Sequence, residues 1–206
     1  SVLYMQSRPK RHGNLCRTIG LGDPLLLVSD DGNARHGGDG RGPSGGPNAV
    51  TAKAGMLTYK RARFGTRLPT DRFYTRAHYW LLETDPAVWR VGFTKFATRM
   101  LGDIVEYQFE VPAEGRVAIG QKLGWIEGFK AVSDIYSVAE GFFSGENPDL
   151  LEDITLLESD PYERGWLYAV RGRPDLNSVD ANRYATILDA TIDKMLASRH
   201  NAEGHE

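Results

Sequence analysis

A chain of 206 residues is too short for a multidomain machine and suits one ordinary domain with tails. Apolar residues make up 41% of it and charged residues 25%, which is enough to bury a core and excludes a wholly disordered protein. The net charge of −2 lacks the basic excess of a nucleic-acid-binding protein, and no apolar run approaches the ~18 residues of a membrane helix, so we expect neither kind of partner.

The first quarter of the chain differs in composition from the rest. Residues 1–55 hold 11 of the 23 glycines, and residues 36–47 contain no apolar side chain to bury. We interpret residues 1–55 as a flexible segment that does not belong to the native protein, with Met56 as the physiological start. The alternative is a targeting peptide, since residues 1–20 carry basic and no acidic groups. The single cysteine, Cys16, falls in this segment and is expected to have no role.

The next segment, residues 56–73, is predicted to form a basic arm. The run of basic residues in this segment extends to residue 76. It is interpreted either as a surface for an acidic partner or as a solvated strand or arm. The basic residues concerned are Lys60, Arg61, Arg63, Arg67, Arg72 and Arg76.

From residue 74 onward the pattern is mostly strand. Short apolar or alternating runs are separated by turn residues, which favours a mainly β sandwich or barrel. These runs are residues 79–82, 89–93, 104–111, 122–129, 131–138 and 166–170. The tryptophans in or beside them, Trp80, Trp89, Trp125 and Trp166, are expected in the core.

Two helices are predicted. Asn147 followed by Pro148 is typical of a helix start, with the asparagine as the cap, and only a short helix fits there. Apolar residues from Tyr184 to Leu196 recur at three- and four-residue spacing, which predicts an amphipathic helix over about 180–198 that packs on the sheet.

One segment stands out as a candidate site. Two apolar-rich runs, residues 123–129 and 131–138, flank Lys130, and if they pair as a hairpin the lysine lies at or beside the turn with its amine in water. Gly128 would supply backbone freedom there. No metal-ligand spacing and no nucleophile motif occurs, so we predict no catalytic residue and no metal site.

The residues around Lys130 resemble the lipoyl-attachment segment of the glycine cleavage H-protein family. In that family a glutamate precedes the modified lysine by three residues and a run like Ala-Val-Ser-Asp follows it; here Glu127, Lys130 and Ala131 to Asp134 take those places. Further motifs match in order, namely His78-Tyr79-Trp80, residues 91–94, residues 101–105, Asn147-Pro148, residues 160–162 and residues 165–167. His78 takes the place of the family's histidine, and we expect it to make a structural hydrogen bond.

The resemblance implies a fold and a function. The fold would be a lipoyl-domain-like flattened barrel or sandwich, a barrel-sandwich hybrid, over residues 74–175, with the C-terminal helix and tail over 176–206. Lys130 would carry lipoic acid as an amide, and the protein would be a non-catalytic cytoplasmic carrier, or a mitochondrial matrix one if residues 1–55 are a transit peptide. Its partners would be glycine decarboxylase, aminomethyltransferase, dihydrolipoyl dehydrogenase, and a lipoate ligase or lipoyltransferase.

The residues beside Lys130 have expected roles and some departures from the family. Glu127 and Asp134 are read either as an acidic signature for the attaching enzyme or as solubilising charges. Gly128 and Phe129 replace the usual Ser-Val pair, and Phe129 is expected to present apolar area near the root of the arm or to be core. Val138 replaces a proline and Tyr79 an acid.

These departures keep two alternatives open. The chain could carry lipoate in another pathway, such as the oxidation of sulfur compounds, or it could be an unmodified interaction module.

Overall fold

The computed structural model describes residues 55–203. Cys16, the targeting-peptide alternative and all but the last residue of the predicted flexible segment lie outside this part of the chain. Its strands are β1 (Met56–Arg61), β2 (Phe64–Pro69), β3 (Phe73–Tyr74), β4 (Tyr79–Asp85), β5 (Val88–Phe93), β6 (Ile104–Phe109), β7 (Arg116–Val117), β8 (Lys122–Gly128), β9 (Val132–Tyr136), β10 (Ala139–Glu146) and β11 (Tyr168–Pro174). Its helices are α1 (Lys95–Leu101), α2 (Asp149–Glu152), α3 (Leu156–Ser159) and α4 (Ala181–Glu203).

Two antiparallel sheets enclose the main core. The larger has the strand order β3-β4-β5-β11-β10-β7, and the smaller has the order β6-β8-β9. Alternation along β9 directs Ser133 and Ile135 inward and leaves Val132, Asp134 and Tyr136 half-buried. Inward residues of both sheets form one apolar cluster, which includes Tyr79, Val91, Phe93, Leu123, Ile126, Ile135, Phe143, Tyr168 and Val170. The mainly β prediction is confirmed.

A second apolar cluster lies between α4 and the β1–β2 hairpin. Tyr59 and Leu68 face this cluster, while Lys60 and Arg67 on the same strands are exposed. The hydroxyl of Tyr59 donates to Asp189 of α4 at 2.9 Å. Where the sequence predicts a basic arm, the chain thus forms a hairpin with one face packed against a helix.

Arg61 and Arg72 of this basic set make side-chain contacts within the part of the chain that the structure describes. Arg61 forms an ion pair with Asp193 of α4 at 2.6 Å. Arg72 is 3% exposed, bonds to Asp71 at 2.9 Å, and stacks on the ring of Trp80 at 4.9 Å. The burial of Arg72 makes the hypothesis that all six form a surface for an acidic partner wrong for that residue, whereas for the other five, Arg61 with its exposed ion pair included, it stays a prediction.

Both predicted helices are present, and two further short ones were not predicted. The C-terminal helix α4 runs to Glu203, five residues beyond its predicted end. Asn147 does accept a hydrogen bond from the backbone of Asp149 at 3.1 Å, as a residue at a helix start does, although the helical segment α2 begins after Pro148. Within residues 55–203 no helix combines the length and apolar character needed to cross a membrane.

Candidate functional site

Lys130 lies at the tip of the β8–β9 hairpin. The strands pair antiparallel as far as Glu127 opposite Val132, and the chain reverses over the four residues between them. The turn is closed by a hydrogen bond from the backbone N–H of Gly128 to the carbonyl of Ala131 at 2.8 Å. The predicted hairpin and the position of Lys130 on it are therefore as expected.

The tip of this hairpin is tied to the segment that follows α1. The backbone N–H of Phe129 donates to the carbonyl of Asp103 at 2.8 Å, and that of Lys130 donates to the carbonyl of Leu101 at 2.9 Å. Leu101 is the last residue of α1, where helix carbonyls have no partner within the helix. Because both turn residues are bonded to an element outside the hairpin, the root of the lysine side chain is fixed.

The amine of Lys130 lies at the surface. The side chain is exposed, and its Nζ donates to the carbonyl of Arg99, in the last turn of α1, at 3.4 Å. The carbonyl end of a helix favours a cation. Gly102 lets the lysine stem pass, since a Cβ built there would lie 2.9 Å from Cγ of Lys130. The amine is therefore accessible to another protein.

Gly128 is needed for a different reason from the one predicted. The φ angle of Gly128 is not positive, so the turn does not require the left-handed conformation that glycine adopts more readily than other residues. Instead, a Cβ at this position would lie 2.3 Å from the carbonyl oxygen of Leu101. The absence of a side chain allows β8 to approach the end of α1, which corrects the prediction.

The other candidate residues lie at different depths. Phe129 is 74% exposed, so it presents apolar area beside the lysine and is not a core residue, whereas Ala131 is partly buried against the main core. Glu127 is the last residue of β8 that pairs with β9, and it is half-buried. Asp134 lies two residues further from the turn than Val132, where Lys122 Nζ at 3.0 Å and the hydroxyl of Tyr136 at 3.2 Å contact its carboxylate.

A buried polar network holds the other end of α1. The side chain of Thr94 caps the helix by accepting from the backbone of Ala97, and its hydroxyl lies 2.9 Å from the hydroxyl of Tyr184 on α4. That hydroxyl lies 2.9 Å from Nδ1 of His78, so the predicted structural hydrogen bond of the histidine is present. Burial lowers the pKa of His78 to about 4, which keeps the ring neutral. Helix α1 therefore connects α4 to the lysine turn.

Sequence reasoning missed the role of α1. From the sequence, the segment from Leu101 to Asp103 is identified only as part of a family motif, yet the carbonyls of these two residues fix the lysine turn. Thr94 as a cap, with Ala97 and Leu101 spaced by one helical turn, was a usable signal. Trp80 and Trp89 are buried, as expected. Trp166 is half-buried and packs against the second apolar cluster, and Trp125 is half-buried.

Comparisons with known proteins agree on one family. The model of the family described as "Glycine cleavage H-protein" matches residues 72–190. The glycine cleavage system H protein of Mycobacterium leprae is 40% identical over 124 residues, which cover 60% of this chain and 91% of that protein. The one of Mycolicibacterium smegmatis is 36% identical over 141 residues, covering 68% of this chain and 95% of that protein.

A solved structure is similar as well. The crystal structure of a glycine cleavage system H protein from Mycobacterium marinum superposes with a TM-score of 0.53 at 33% identity, covering 58% of this chain and 97% of that one. This likeness confirms the predicted lipoyl-domain-like sandwich with its C-terminal helix; the sheets do not close into a barrel. Strands β1 and β2 precede the residues that the family model matches.

Proposed function

Because this chain belongs to the glycine cleavage H-protein family, we propose that it is a lipoyl carrier of the glycine cleavage system and that Lys130 carries the lipoyl group. The observation that supports this most is the position of Lys130, exposed at the tip of a hairpin whose backbone is fixed. The related proteins named above are bacterial, which favours the cytoplasm as the compartment.

The residues present fit such a group. An amide on a lysine requires that the amine be reachable by the attaching enzyme and that the product extend into solvent. Lys130 is exposed, and its contact with the Arg99 carbonyl is exposed and at the long end of hydrogen-bond distances. Gly128 and Ala131, the outer residues of the turn, add little bulk around the amine.

The protein's own residues provide position and not catalysis. The carbonyls of Leu101 and Asp103 hold the root of the side chain, while the side chain itself is at the surface. When bound, the lipoyl group supplies a disulfide whose exchange chemistry carries an aminomethyl group between enzymes. A fixed root with a long arm raises the local concentration of the reactive end at any docked enzyme, so weak docking is sufficient. The partners we propose are glycine decarboxylase, aminomethyltransferase and dihydrolipoyl dehydrogenase.

Reconstitution with these three enzymes tests the proposal. Lipoylated protein should support glycine-dependent CO₂ release and NAD⁺ reduction, and Lys130→Arg, which retains the charge but cannot take the group under the same conditions, should support neither. A lipoylated protein that glycine decarboxylase fails to load would contradict the glycine cleavage role and favour a carrier for another pathway.

A further inference from the structure

Phe129 is the most exposed aromatic side chain in residues 55–203. It is 74% exposed, compared with 47% for Phe73 and 42% for Phe142. Single exposed apolar side chains are common on protein surfaces, so the exposure of Phe129 does not by itself indicate a binding site. The place of Phe129 is what distinguishes it, because it directly precedes Lys130 in the same turn.

The backbone holds Phe129 in this exposed place. Its N–H is bonded to the carbonyl of Asp103, and the neighbouring Lys130 N–H is bonded to that of Leu101. The side chain therefore starts from a fixed point and needs little backbone ordering when a partner covers it. Val105, which is 59% exposed, is the extra residue of a bulge in β6 opposite Gly128 and Glu127, so a second exposed apolar residue lies on the strand next to the turn.

The lipoate ligase or lipoyltransferase that attaches the lipoyl group must approach Lys130 more closely than the other partners do. It acts on Nζ of Lys130 itself, whereas the enzymes that use the finished arm act at its far end. An enzyme that brings a reacting carbon to Nζ has to cover the residues on either side of the lysine. Ala131 is partly buried, so Phe129 is the neighbour with apolar area to offer. Aromatic residues are enriched among the side chains that dominate binding energy at interfaces.

We propose that Phe129 is a specificity-determining contact for the enzyme that attaches the lipoyl group, and that it enters an apolar pocket of that enzyme beside its acyl-donor site. The inference rests on the proposed function, since it requires Lys130 to be the attachment residue. Val105 would lie at the edge of the same contact.

The reaction that this contact serves is an acyl transfer. The neutral amine of Lys130 attacks the acyl carbon of a lipoyl adenylate made from lipoate and ATP. A C–N bond forms, the C–O bond to the phosphate breaks, AMP leaves with the bonding electron pair, and the amine loses a proton to solvent. Phe129 takes no part in these bonds and acts by holding the two proteins together.

Steady-state lipoylation by a lipoate ligase, with lipoate and ATP, tests the inference. We expect Phe129→Ser to raise the KM for the carrier about tenfold with kcat within about twofold, since an interaction made equally in ground and transition states acts on KM. Phe129→Leu, which keeps the apolar area, should stay within about threefold of the wild type. The matched control is Leu176→Ser, at a residue that is 96% exposed. Leu176 lies away from the lysine turn, because the N–H of the preceding Asp175 donates to the carbonyl of Val138, beyond the far end of β9.

The outcomes separate this inference from the proposed function. If the ligase lipoylates Phe129→Ser as efficiently as the wild type, Phe129 is not a contact and the carrier role is unaffected. The same holds if Phe129→Ser and Leu176→Ser fail equally. If the ligase leaves the wild type unmodified at Lys130, both are overturned. Once fully lipoylated, Phe129→Ser should be loaded by glycine decarboxylase at a rate within about twofold of the wild type; a defect only at this later step would assign Phe129 to the decarboxylase and refute the inference.

Discussion

Gly128 shows at the scale of one residue how the lysine turn depends on close backbone contact. The nearest atoms to a Cβ built there belong to the backbone of Leu101, which a change of side-chain rotamer cannot move. Sequence reasoning identified the glycine and the turn but assigned the glycine to conformational freedom. The reason for the error is that the neighbour of Gly128 comes from a different part of the chain, and no local pattern shows it.

We expect Gly128→Ala to lower the free energy of unfolding by about 2 kcal/mol or more, because α1 and β8 must separate to admit the methyl group. Gly65→Ala is the matched control, since a Cβ at Gly65 would lie 3.8 Å from its nearest neighbour, the carbonyl oxygen of Tyr59, and the φ angle of Gly65 is not positive. Urea denaturation of both variants measures the difference. Equal stabilities would mean that the contact with Leu101 is not tight.

His78 gives a second prediction at this scale. The buried ring has a pKa of about 4, compared with about 6.5 for a histidine in the unfolded chain, so between these values the unfolded state binds more protons. Stability therefore rises with pH across this window and is lost as the pH falls through it. Lowering the pH from about 7 to about 4.5 should reduce the free energy of unfolding of the wild type by about 2 to 3 kcal/mol through the protonation of His78 on unfolding.

The variant His78→Gln removes the titrating ring and retains a side chain able to bond to Tyr184. Its stability at about pH 7 is expected to be lower than that of the wild type, but its loss on acidification should be smaller by that same amount. Denaturation at both pH values measures the two losses, and the contribution of the carboxylates is common to both proteins. Parallel losses would show that His78 is not protonated on unfolding.

At the scale of elements, regular alternation made the longer strands predictable and short or charged elements were missed. The runs at residues 122–129 and 131–138 gave β8 and β9 within a few residues of their true ends. Helix α1 has seven residues, too few for a periodic pattern to stand out. Strands β1 and β2 were read as an arm because lysine and arginine occupy their outer face, although Tyr59 and Leu68 alternate with those charges.

The β1–β2 hairpin leads to a prediction about stability. Leu68 is fully buried in the cluster with α4, so Leu68→Ala should cost about 2 to 5 kcal/mol. Its neighbour Arg67 faces outward, and Arg67→Ala should change the free energy of unfolding by no more than about 0.5 kcal/mol. Urea denaturation of both variants checks this. A hairpin that is only loosely attached would make Leu68→Ala as mild as Arg67→Ala.

On the scale of the whole molecule, two clusters have different relations to the site. The main cluster lies between the sheets and supports the hairpin that carries Lys130. The second cluster joins α4, α1 and the β1–β2 hairpin, and through α1 it reaches the carbonyls that bind the turn. The fold class and the position of Lys130 at a hairpin tip were predictable because they depend on local pattern and on resemblance. The connection through α1 was not, because it depends on contacts between segments distant in sequence.

The most direct test of the carrier role is mass spectrometry of the protein produced with lipoate and a lipoate ligase. We expect a single lipoyl addition, mapped by peptide fragmentation to Lys130 and absent from Lys130→Arg. A wild-type protein that remains unmodified, or that carries the group on a different lysine, would contradict the proposal that Lys130 is the lipoyl-attachment residue.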